Sequence, residues 1–246
     1  YFSFLKMNYP YVSYLKVEEK NLAKSFAEEH ELYFASPRQI RIAKGIKPVI
    51  WISQEKILLQ DLDDKNSKPF SIDLDSLEKE KGDKNLLNKC FSKFDKSFLV
   101  YDLTAGLCQD ASSIASMGFE VIAFEKESWL YEFNQRCLLD SKIKKLKLIN
   151  SDSLLSIKKA GKKDILFLDP MFELNTKAFA KKEIQFLRKC IPSAPEKELI
   201  DAALNSKAGL IIIKRHKLSK SQYATKPSYI IKGKVITFEV FDRRTI

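Results

Sequence analysis

Five apolar runs of β type recur from about residue 98 onward, and helical stretches separate them. The runs read SFLVYDL, FEVIAFE, LKLIN, DILFLD and GLIIIKR. Continuous apolar strands that alternate with helices are typical of a parallel sheet that helices cover on both faces. The pattern therefore predicts an α/β fold for residues 98–246.

The stretches between these runs carry apolar residues at helical spacing. They predict helices over 110–118, 128–139 and 177–191, each with one buried stripe. The stripes consist of Ala111, Ile114 and Ala115 in the first helix, Trp129, Phe133 and Cys137 in the second, and Phe179, Phe186, Leu187 and Cys190 in the third.

The two ends of the chain depart from this alternation. The run YIIKGKVITFEVF predicts a terminal antiparallel hairpin that turns at Gly233. A mostly parallel sheet that ends in such a hairpin resembles the seven-stranded, Rossmann-like outline of class I methyltransferases. Residues 1–97 predict a small α+β unit and linker, with a strand near 11–17, a helix over 18–32 and a hairpin formed by VIWIS and KILLQDL.

Composition narrows the chemistry that the chain can perform. The net charge is +11 and lysines far outnumber the seven arginines; this balance suits a polyanionic partner such as nucleic acid. The four cysteines are widely spaced and only two histidines occur, so we expect no metal site and acid–base chemistry that relies on carboxylates or lysines. No apolar stretch is long enough to predict a membrane helix, and we expect a cytoplasmic protein.

Carboxylates follow four consecutive strands of the predicted sheet: Asp102, Glu125, Asp152 and Asp169. Ligands of open parallel sheets bind outside the carboxyl ends of the strands. Gly106 allows a tight turn after the first strand, and Glu125 comes at the distance where a carboxylate can accept both hydroxyls of a ribose. Each acid alone is also typical of a helix cap or turn; together the four favour a nucleoside cofactor.

These residues lie in stretches that resemble the small-subunit ribosomal RNA methyltransferase J family. The matching stretches are DLTAGLCQDASSIASMGFEVIAFEK, INSDSLLSI, LDPMF, KKEIQFLRKCI, LIIIKR and IKGKVITFEV. The resemblance implies S-adenosylmethionine as the cofactor, methylation of the exocyclic N2 of a guanine in 16S rRNA, and ribosomal RNA or the 30S subunit as the partner. By the same resemblance, the cofactor-binding residues are Asp102, Gly106, Gln109, Asp110, Glu125, Lys126, Asp152, Ser153 and Asp169.

The LDPMF stretch is similar to the Asp-Pro motif of enzymes that methylate exocyclic amines, which implies catalytic roles for Asp169, Pro170 and Phe172. A guanine N2 lone pair is delocalised into the ring. If Asp169 and the Pro170 carbonyl accept its two hydrogens, the nitrogen can pyramidalise and present that lone pair to a methyl group. Phe172 would stack on the base, although a core aromatic at a strand end is the alternative.

Lys214 and Arg215 follow the GLIII run, and we expect them to contact RNA phosphates. The chain departs from the family at Cys108 and Gln109, where the family usually has Gly and Arg. We expect the Cys108 side chain to crowd the cofactor. Two other readings stay open. Methylation of an adenine N6 or of another RNA is one, because an Asp-Pro motif does not identify which amine is methylated; an RNA-binding protein of this fold with impaired turnover is the other, because of these departures.

Overall fold

The protein, in a computed structural model, is described over residues 10–42, 48–64, 66–76, 83–170, 182–191, 196–219 and 223–244. These residues form two compact units. The described parts of Tyr1–Ile72 and Lys177–Ser193 make the smaller unit, and those of Asp73–Thr176 and Ala194–Ile246 make the larger one.

The described residues contain eleven strands and eight α-helices. The strands are β1 (Tyr11–Tyr14), β2 (Tyr33–Phe34), β3 (Pro48–Ile52), β4 (Ile57–Asp61), β5 (Leu99–Asp102), β6 (Glu120–Glu125), β7 (Leu146–Asn150), β8 (Asp164–Leu168), β9 (Leu210–His216), β10 (Tyr229–Lys232) and β11 (Ile236–Asp242). The helices are α1 (Lys20–Glu29), α2 (Pro37–Ile42), α3 (Asp83–Phe91), α4 (Gln109–Ser116), α5 (Ser128–Leu139), α6 (Leu154–Ile157), α7 (Lys182–Cys190) and α8 (Glu196–Leu204).

The larger unit is built on a seven-stranded sheet in the order β10-β11-β9-β8-β5-β6-β7. The five strands β5 to β9 run parallel, whereas β11 pairs antiparallel with both β9 and β10. The predicted α/β fold, with a mostly parallel sheet and a C-terminal antiparallel hairpin, is confirmed. The hairpin turns where Gly233 donates its backbone N–H to the Ile236 carbonyl at 2.9 Å.

Hydrophobic cores lie on both faces of this sheet, which explains why its strands are almost continuously apolar. Along β8, Ile165 and Phe167 point into one core, and Leu166 and Leu168 point into the other. All four side chains are fully buried. Burial of each such side chain contributes about 1.5–3 kcal/mol to folding, so this strand anchors the residues that follow it.

Helix α3 packs on one of these faces through an aromatic cluster. The Phe91 ring centroid lies 5.4 Å from that of Phe119, 5.9 Å from that of Phe167 and 6.2 Å from that of Phe94. The predicted domain boundary between residues 97 and 98 stays a prediction. The compact units differ from it in two places, since α3 belongs to the larger unit and α7 to the smaller.

The smaller unit holds a four-stranded sheet in the order β2-β1-β3-β4. Its β3–β4 pair is antiparallel, which confirms the predicted hairpin, and α1 confirms the predicted helix. On α7, Phe186, Leu187 and Cys190 are buried as the stripe predicted, while Phe179 lies outside the described residues. The Lys189 ammonium pairs with Asp61 and Asp63 at 2.5 and 2.9 Å, which ties α7 to the end of β4.

Within the described ranges, no helix combines the length and the apolar character that crossing a membrane requires.

Candidate active site

The carboxyl ends of β5, β6, β7, β8 and β9 share one edge of the large sheet. From β5 the chain proceeds outward to β6 and β7, and it then returns to the other side of β5 as β8 and β9. The strand order thus reverses between β5 and β8. In an open α/β sheet, the crevice at such a reversal is where ligands bind.

Asp102 ends β5 and is 2% exposed. Its carboxylate accepts a hydrogen bond from the Thr104 backbone N–H at 3.0 Å. Burial raises the pKa of Asp102 to about 7; the Thr104 N–H opposes the rise, whereas the nearby Asp110 and Asp169 carboxylates add to it. A carboxyl group that titrates near neutral pH at a sheet edge is typical of a functional site.

The loop after β5 turns through two left-handed residues. Gly106 has φ +51°, and Cys108, which precedes α4, has φ +56°. A side chain in this region costs about 1–2 kcal/mol, which explains why glycine is favoured there. The Cys108 side chain is fully buried in the core cluster with Ala105 and Ala111, and the expectation that it crowds the cofactor stays a prediction.

Glu125 ends β6 beside the same loop and is 7% exposed. Its carboxylate accepts hydrogen bonds from the backbone N–H groups of Glu127, at 2.9 Å, and of Gly106. Burial raises the pKa of Glu125 to about 7, against the effect of these donors. The following Lys126 is exposed. The Glu125 carboxylate and the Gly106 turn therefore lie next to each other, as expected of a nucleoside site.

Asp152 and Ser153, which follow β7, stand in a different environment. Asp152 is exposed, and its carboxylate accepts the Leu154 backbone N–H at 2.9 Å, at the start of the short helix α6. Ser153 is buried. Asp152 thus serves as a turn residue just before this helix, an alternative that the sequence left open. Its contact with a cofactor stays a prediction.

Asp169 and Pro170 directly follow β8 at the strand-order reversal. The Asp169 backbone N–H donates to the Thr104 hydroxyl at 2.7 Å, and that hydroxyl lies 3.4 Å from the Asp102 carboxylate. Thr104 therefore links the β5 loop to the β8 loop. Pro170 is buried, whereas Phe172 lies outside the described residues.

The Lys214 ammonium lies between two carboxylates of this site. Its Nζ is 2.5 Å from Oδ2 of Asp110 and 2.7 Å from Oδ2 of Asp169. The Lys214 and Asp110 side chains are only 19% and 20% exposed, and that of Asp169 is 38% exposed. Burial raises the pKa of Asp169 to about 6; Lys214 opposes the rise and Asp110 adds to it. The two carboxylates raise the pKa of Lys214 against the effect of its burial.

Arg215 points to the opposite face of β9. Its guanidinium donates to the Glu239 carboxylate at 2.6 Å and to the Ser219 carbonyl, and the Tyr223 hydroxyl donates to the same carboxylate. Arg215 and Glu239 are 8% and 7% exposed. The phosphate contacts predicted for Lys214 and Arg215 stay predictions that this geometry disfavours, because both cations already pair with buried or half-buried carboxylates.

The structure adds two residues that the sequence analysis missed. One is Thr104, described above. The other is Asn134 on α5, which is 1% exposed and donates its side-chain amide to the Gly106 carbonyl at 2.6 Å. The signal for Asn134 was a polar residue on a helix face shared with Leu130 and Cys137, which predicts a buried side chain that must find a polar partner.

The residues at this edge fit a nucleoside cofactor such as S-adenosylmethionine. A ribose needs hydrogen-bond acceptors and a tight backbone turn beneath it; Glu125 and Gly106 provide these next to each other. The two departures from the family pattern differ in burial, because Cys108 is fully buried in the core and Gln109 is the half-buried first residue of α4.

Relatives of known name share this chain's sequence over part of its length. Ribosomal RNA small subunit methyltransferase J of Coxiella burnetii is 29% identical over 151 residues, which are 58% of this chain and 59% of that protein. The protein of the same name from Rhodopseudomonas palustris is 31% identical over 160 residues, 59% of this chain and 72% of that protein. The chain thus spans about three-fifths of the length of the Coxiella relative, and the resemblance to the J family is confirmed.

A solved structure supports the fold over nearly the whole chain. The crystal structure of a SAM-dependent methyltransferase from Neisseria gonorrhoeae superposes with a TM-score of 0.67 at 20% identity, and it covers 95% of this chain and 96% of that one. Residues 35–243 match the sequence profile of the family described as "Putative SAM-dependent methyltransferase". The chain belongs to this family of SAM-dependent methyltransferases.

Proposed function

We propose that the protein transfers a methyl group from S-adenosylmethionine to the exocyclic N2 of a guanine in small-subunit ribosomal RNA. The observation that carries the proposal is the position of Asp169 and Pro170. They follow β8 at the reversal of strand order, and the hydrogen bonds of Thr104 join Asp169 to Asp102 and the β5 loop. Amine-acceptor groups and the nucleoside site thus share one edge.

Two acceptors next to each other suit the chemistry of an exocyclic amine. The cofactor supplies an electrophilic methyl group. The Asp169 carboxylate and the Pro170 carbonyl each accept one N–H of the amine, which draws its lone pair out of conjugation with the ring and orients it. The ionised carboxylate is the stronger acceptor and can also take up the proton that the amine releases, so we expect transfer to need deprotonated Asp169; with a pKa of about 6, it is mostly so at neutral pH.

The proton balance needs no strong base. The bond between nitrogen and the methyl carbon forms as the bond from carbon to sulfur breaks, and the nitrogen then carries an extra proton and a positive charge. An aryl ammonium of this kind is acidic, and the Asp169 carboxylate is the nearest acceptor for its proton. The scarcity of histidine in the chain is therefore no obstacle.

The proposed RNA substrate rests on charge and on the names of the relatives. The chain carries a net charge of +11, which favours a polyanion, and both curated relatives are named as methyltransferases of small-subunit ribosomal RNA. The target base must leave its stack to reach the edge, and we propose that Phe172 stacks on it there. A ribosomal substrate would place the protein in the cytoplasm.

Calorimetric titration with S-adenosylhomocysteine, on the wild-type protein and on Glu125→Ala, is the first test. Micromolar binding that Glu125→Ala weakens supports the site. Absence of binding to folded protein at millimolar ligand would contradict the proposal and favour the RNA-binding protein with impaired turnover.

Methyl transfer from labelled S-adenosylmethionine to 30S subunits and to naked 16S rRNA, followed by mapping of the modified base, is the second test. Methyl at guanine N2 supports the proposal. Methyl at an adenine N6 would show that Asp169 and Pro170 serve a different amine.

A further inference from the structure

A cation stands beside the proposed amine acceptor, and the proposed transfer reaction does not use it directly. Lys214 leaves β9 on the same edge as Asp169, and its ammonium contacts Asp169 and Asp110 together, at 2.7 and 2.5 Å. Asp110 lies in the first turn of α4. The Lys214 ammonium therefore connects Asp169, which follows β8, to α4, which borders the nucleoside site.

Three other polar groups, from β5, the loop after it and α4, lie around Asp169. Asp102 of β5 and Asp110 of α4 are like charges that raise the free energy of its ionised form, and Thr104 of the β5 loop holds its backbone rather than its carboxylate. Among the described residues, Lys214 of β9 is the cation that lowers the pKa of Asp169. Without it, two or three carboxylates would face one another in a partly buried site, where like charges cannot all ionise.

We propose that Lys214 is a positioning residue for methyl transfer, which keeps the Asp169 carboxylate ionised and aimed at the amine and connects it to Asp110. The proposal rests on the proposed function, since it concerns the same acceptor. Lys214 itself contacts neither the methyl group nor the amine; it acts through Asp169.

The geometry explains why a charged side chain is needed here. A half-buried lysine that pairs only for stability has little net value, because desolvation offsets most of the attraction. At this site the pairing has a second consequence, because it sets the protonation state of a carboxylate that must accept a hydrogen bond. A neutral residue of similar size could fill the space and even donate a hydrogen bond, but without the charge it would lower the pKa of Asp169 less.

The test compares Lys214→Gln, which keeps a hydrogen-bond donor and removes the charge, with Lys214→Arg, which keeps the charge. Methyl transfer to 30S subunits is measured against pH at saturating cofactor and RNA. In Lys214→Gln we expect the acid limb of the profile to move upward by about one pH unit or more, whereas Lys214→Arg keeps the wild-type limb. Lys145→Gln is the matched control; Lys145 pairs with Glu120 at 3.6 Å at the other end of β6, and its loss leaves the limb in place.

A second measurement does not depend on turnover. Nuclear magnetic resonance titration of labelled aspartate carboxyl carbons resolves Asp169 from Asp102, and Lys214→Gln should raise the pKa of Asp169. If Lys214→Gln does not fold, Asp110→Asn replaces it. That variant removes a like charge, so the pKa of Asp169 and the acid limb should both fall.

The outcomes separate this inference from the proposed function. Wild-type protein that neither binds S-adenosylhomocysteine nor methylates RNA contradicts the proposed function. Active wild-type protein whose acid limb and Asp169 pKa are unchanged in Lys214→Gln overturns the positioning role alone. If the acid limb of the pH profile also moves in Lys214→Arg, the positioning role is overturned too, because the shape of the side chain rather than its charge would then set the profile.

Discussion

The carboxylates that follow β5 and β8 and the carboxylate that follows β7 show the same pattern in the sequence but have different environments. Asp102 is buried and Asp169 is half-buried, and burial raises the pKa of both. Asp152 is exposed and holds the turn before a short helix. The difference follows from the strand order, in which β5 and β8 are central and β7 is the outer strand.

The comparison shows how position in a sheet determines what a strand-end acid can do. Loops from strands on both sides surround the end of a central strand, so its carboxylate loses water and is held by neighbouring donors and charges. The end of an outer strand has such neighbours on one side only. A carboxylate there keeps its contact with water, and it serves local structure.

The largest expected effect separates Asp169 from Asp152. Asp169→Ala should lower the rate of methyl transfer by about 10²–10⁴-fold, because it removes an acceptor of the amine, while the affinity for S-adenosylhomocysteine stays within about tenfold. Asp152→Ala should keep most of the rate at saturating cofactor. Single-turnover transfer to 30S subunits measures both rates. Equal losses in the two variants would contradict the proposed difference between Asp169 and Asp152.

A smaller effect is expected on cofactor affinity at the end of β6. Glu125→Ala should weaken binding of S-adenosylhomocysteine by about 10–100-fold, since a hydrogen bond to a charged group is worth about 1.5–3 kcal/mol. Asp152→Ala should weaken binding less than Glu125→Ala does, because Asp152 is exposed and engaged in a turn. Calorimetric titration of both variants checks this, and the reverse order would make the outer strand the main ribose site.

The buried carboxyl of Asp102 predicts a pH-dependent cost to stability. Its folded pKa of about 7 exceeds the unfolded value, so the folded state binds more protons and loses stability as pH rises from about 4 through about 7. Asp102→Asn should therefore raise the free energy of unfolding on the order of 1–3 kcal/mol near pH 8, and by less near pH 5.

Urea denaturation of Asp102→Asn at the two pH values measures this difference, with Asp152→Asn as the control. The control should change the free energy of unfolding little, because its carboxylate is exposed. A gain of equal size at both pH values would mean that Asp102 is not the group that titrates.

The smallest effect concerns backbone strain, which is present in the loop after β5. At the left-handed Cys108, a glycine relieves about 1 kcal/mol of strain and loses a buried thiol, whereas an alanine keeps the strain and also loses the sulfur. Cys108→Gly should therefore be more stable than Cys108→Ala by about 1 kcal/mol. Thermal unfolding ranks the two, and the opposite rank would show that packing rather than conformation dominates at this residue.

Much of the larger unit could be predicted from sequence because its signals are local. Apolar runs such as DILFLD and the stripes of α4 and α5 determine element type, and the run around Gly233 predicted the hairpin of β10 and β11. Helix α3 was not predicted because it begins inside a polar, charged run, although Leu87, Cys90 and Phe91 form one buried face. What holds it is Phe91, whose partners Phe119 and Phe167 lie far away in the chain.

The candidate site was predictable as a set of strand ends and not as a set of contacts. Asp102, Glu125 and Asp169 come together because their strands are neighbours, which the alternation of strands and helices implied. Lys214 and Arg215 are adjacent in sequence and were assigned one role. Because neighbouring residues of a strand point to opposite faces, one reaches Asp169 and the other reaches Glu239.

The sequence alone therefore determined the alternating architecture, the family and the identity of the acidic residues at the sheet edge, because each depends on local pattern or on a stretch of matching residues. Only the tertiary structure decided which of those carboxylates lose water, that Cys108 occupies a left-handed turn with its thiol in the core, and that Lys214 pairs with Asp110 and Asp169. Burial and electrostatic pairing depend on groups brought together from distant parts of the chain, and a linear pattern does not record their distances.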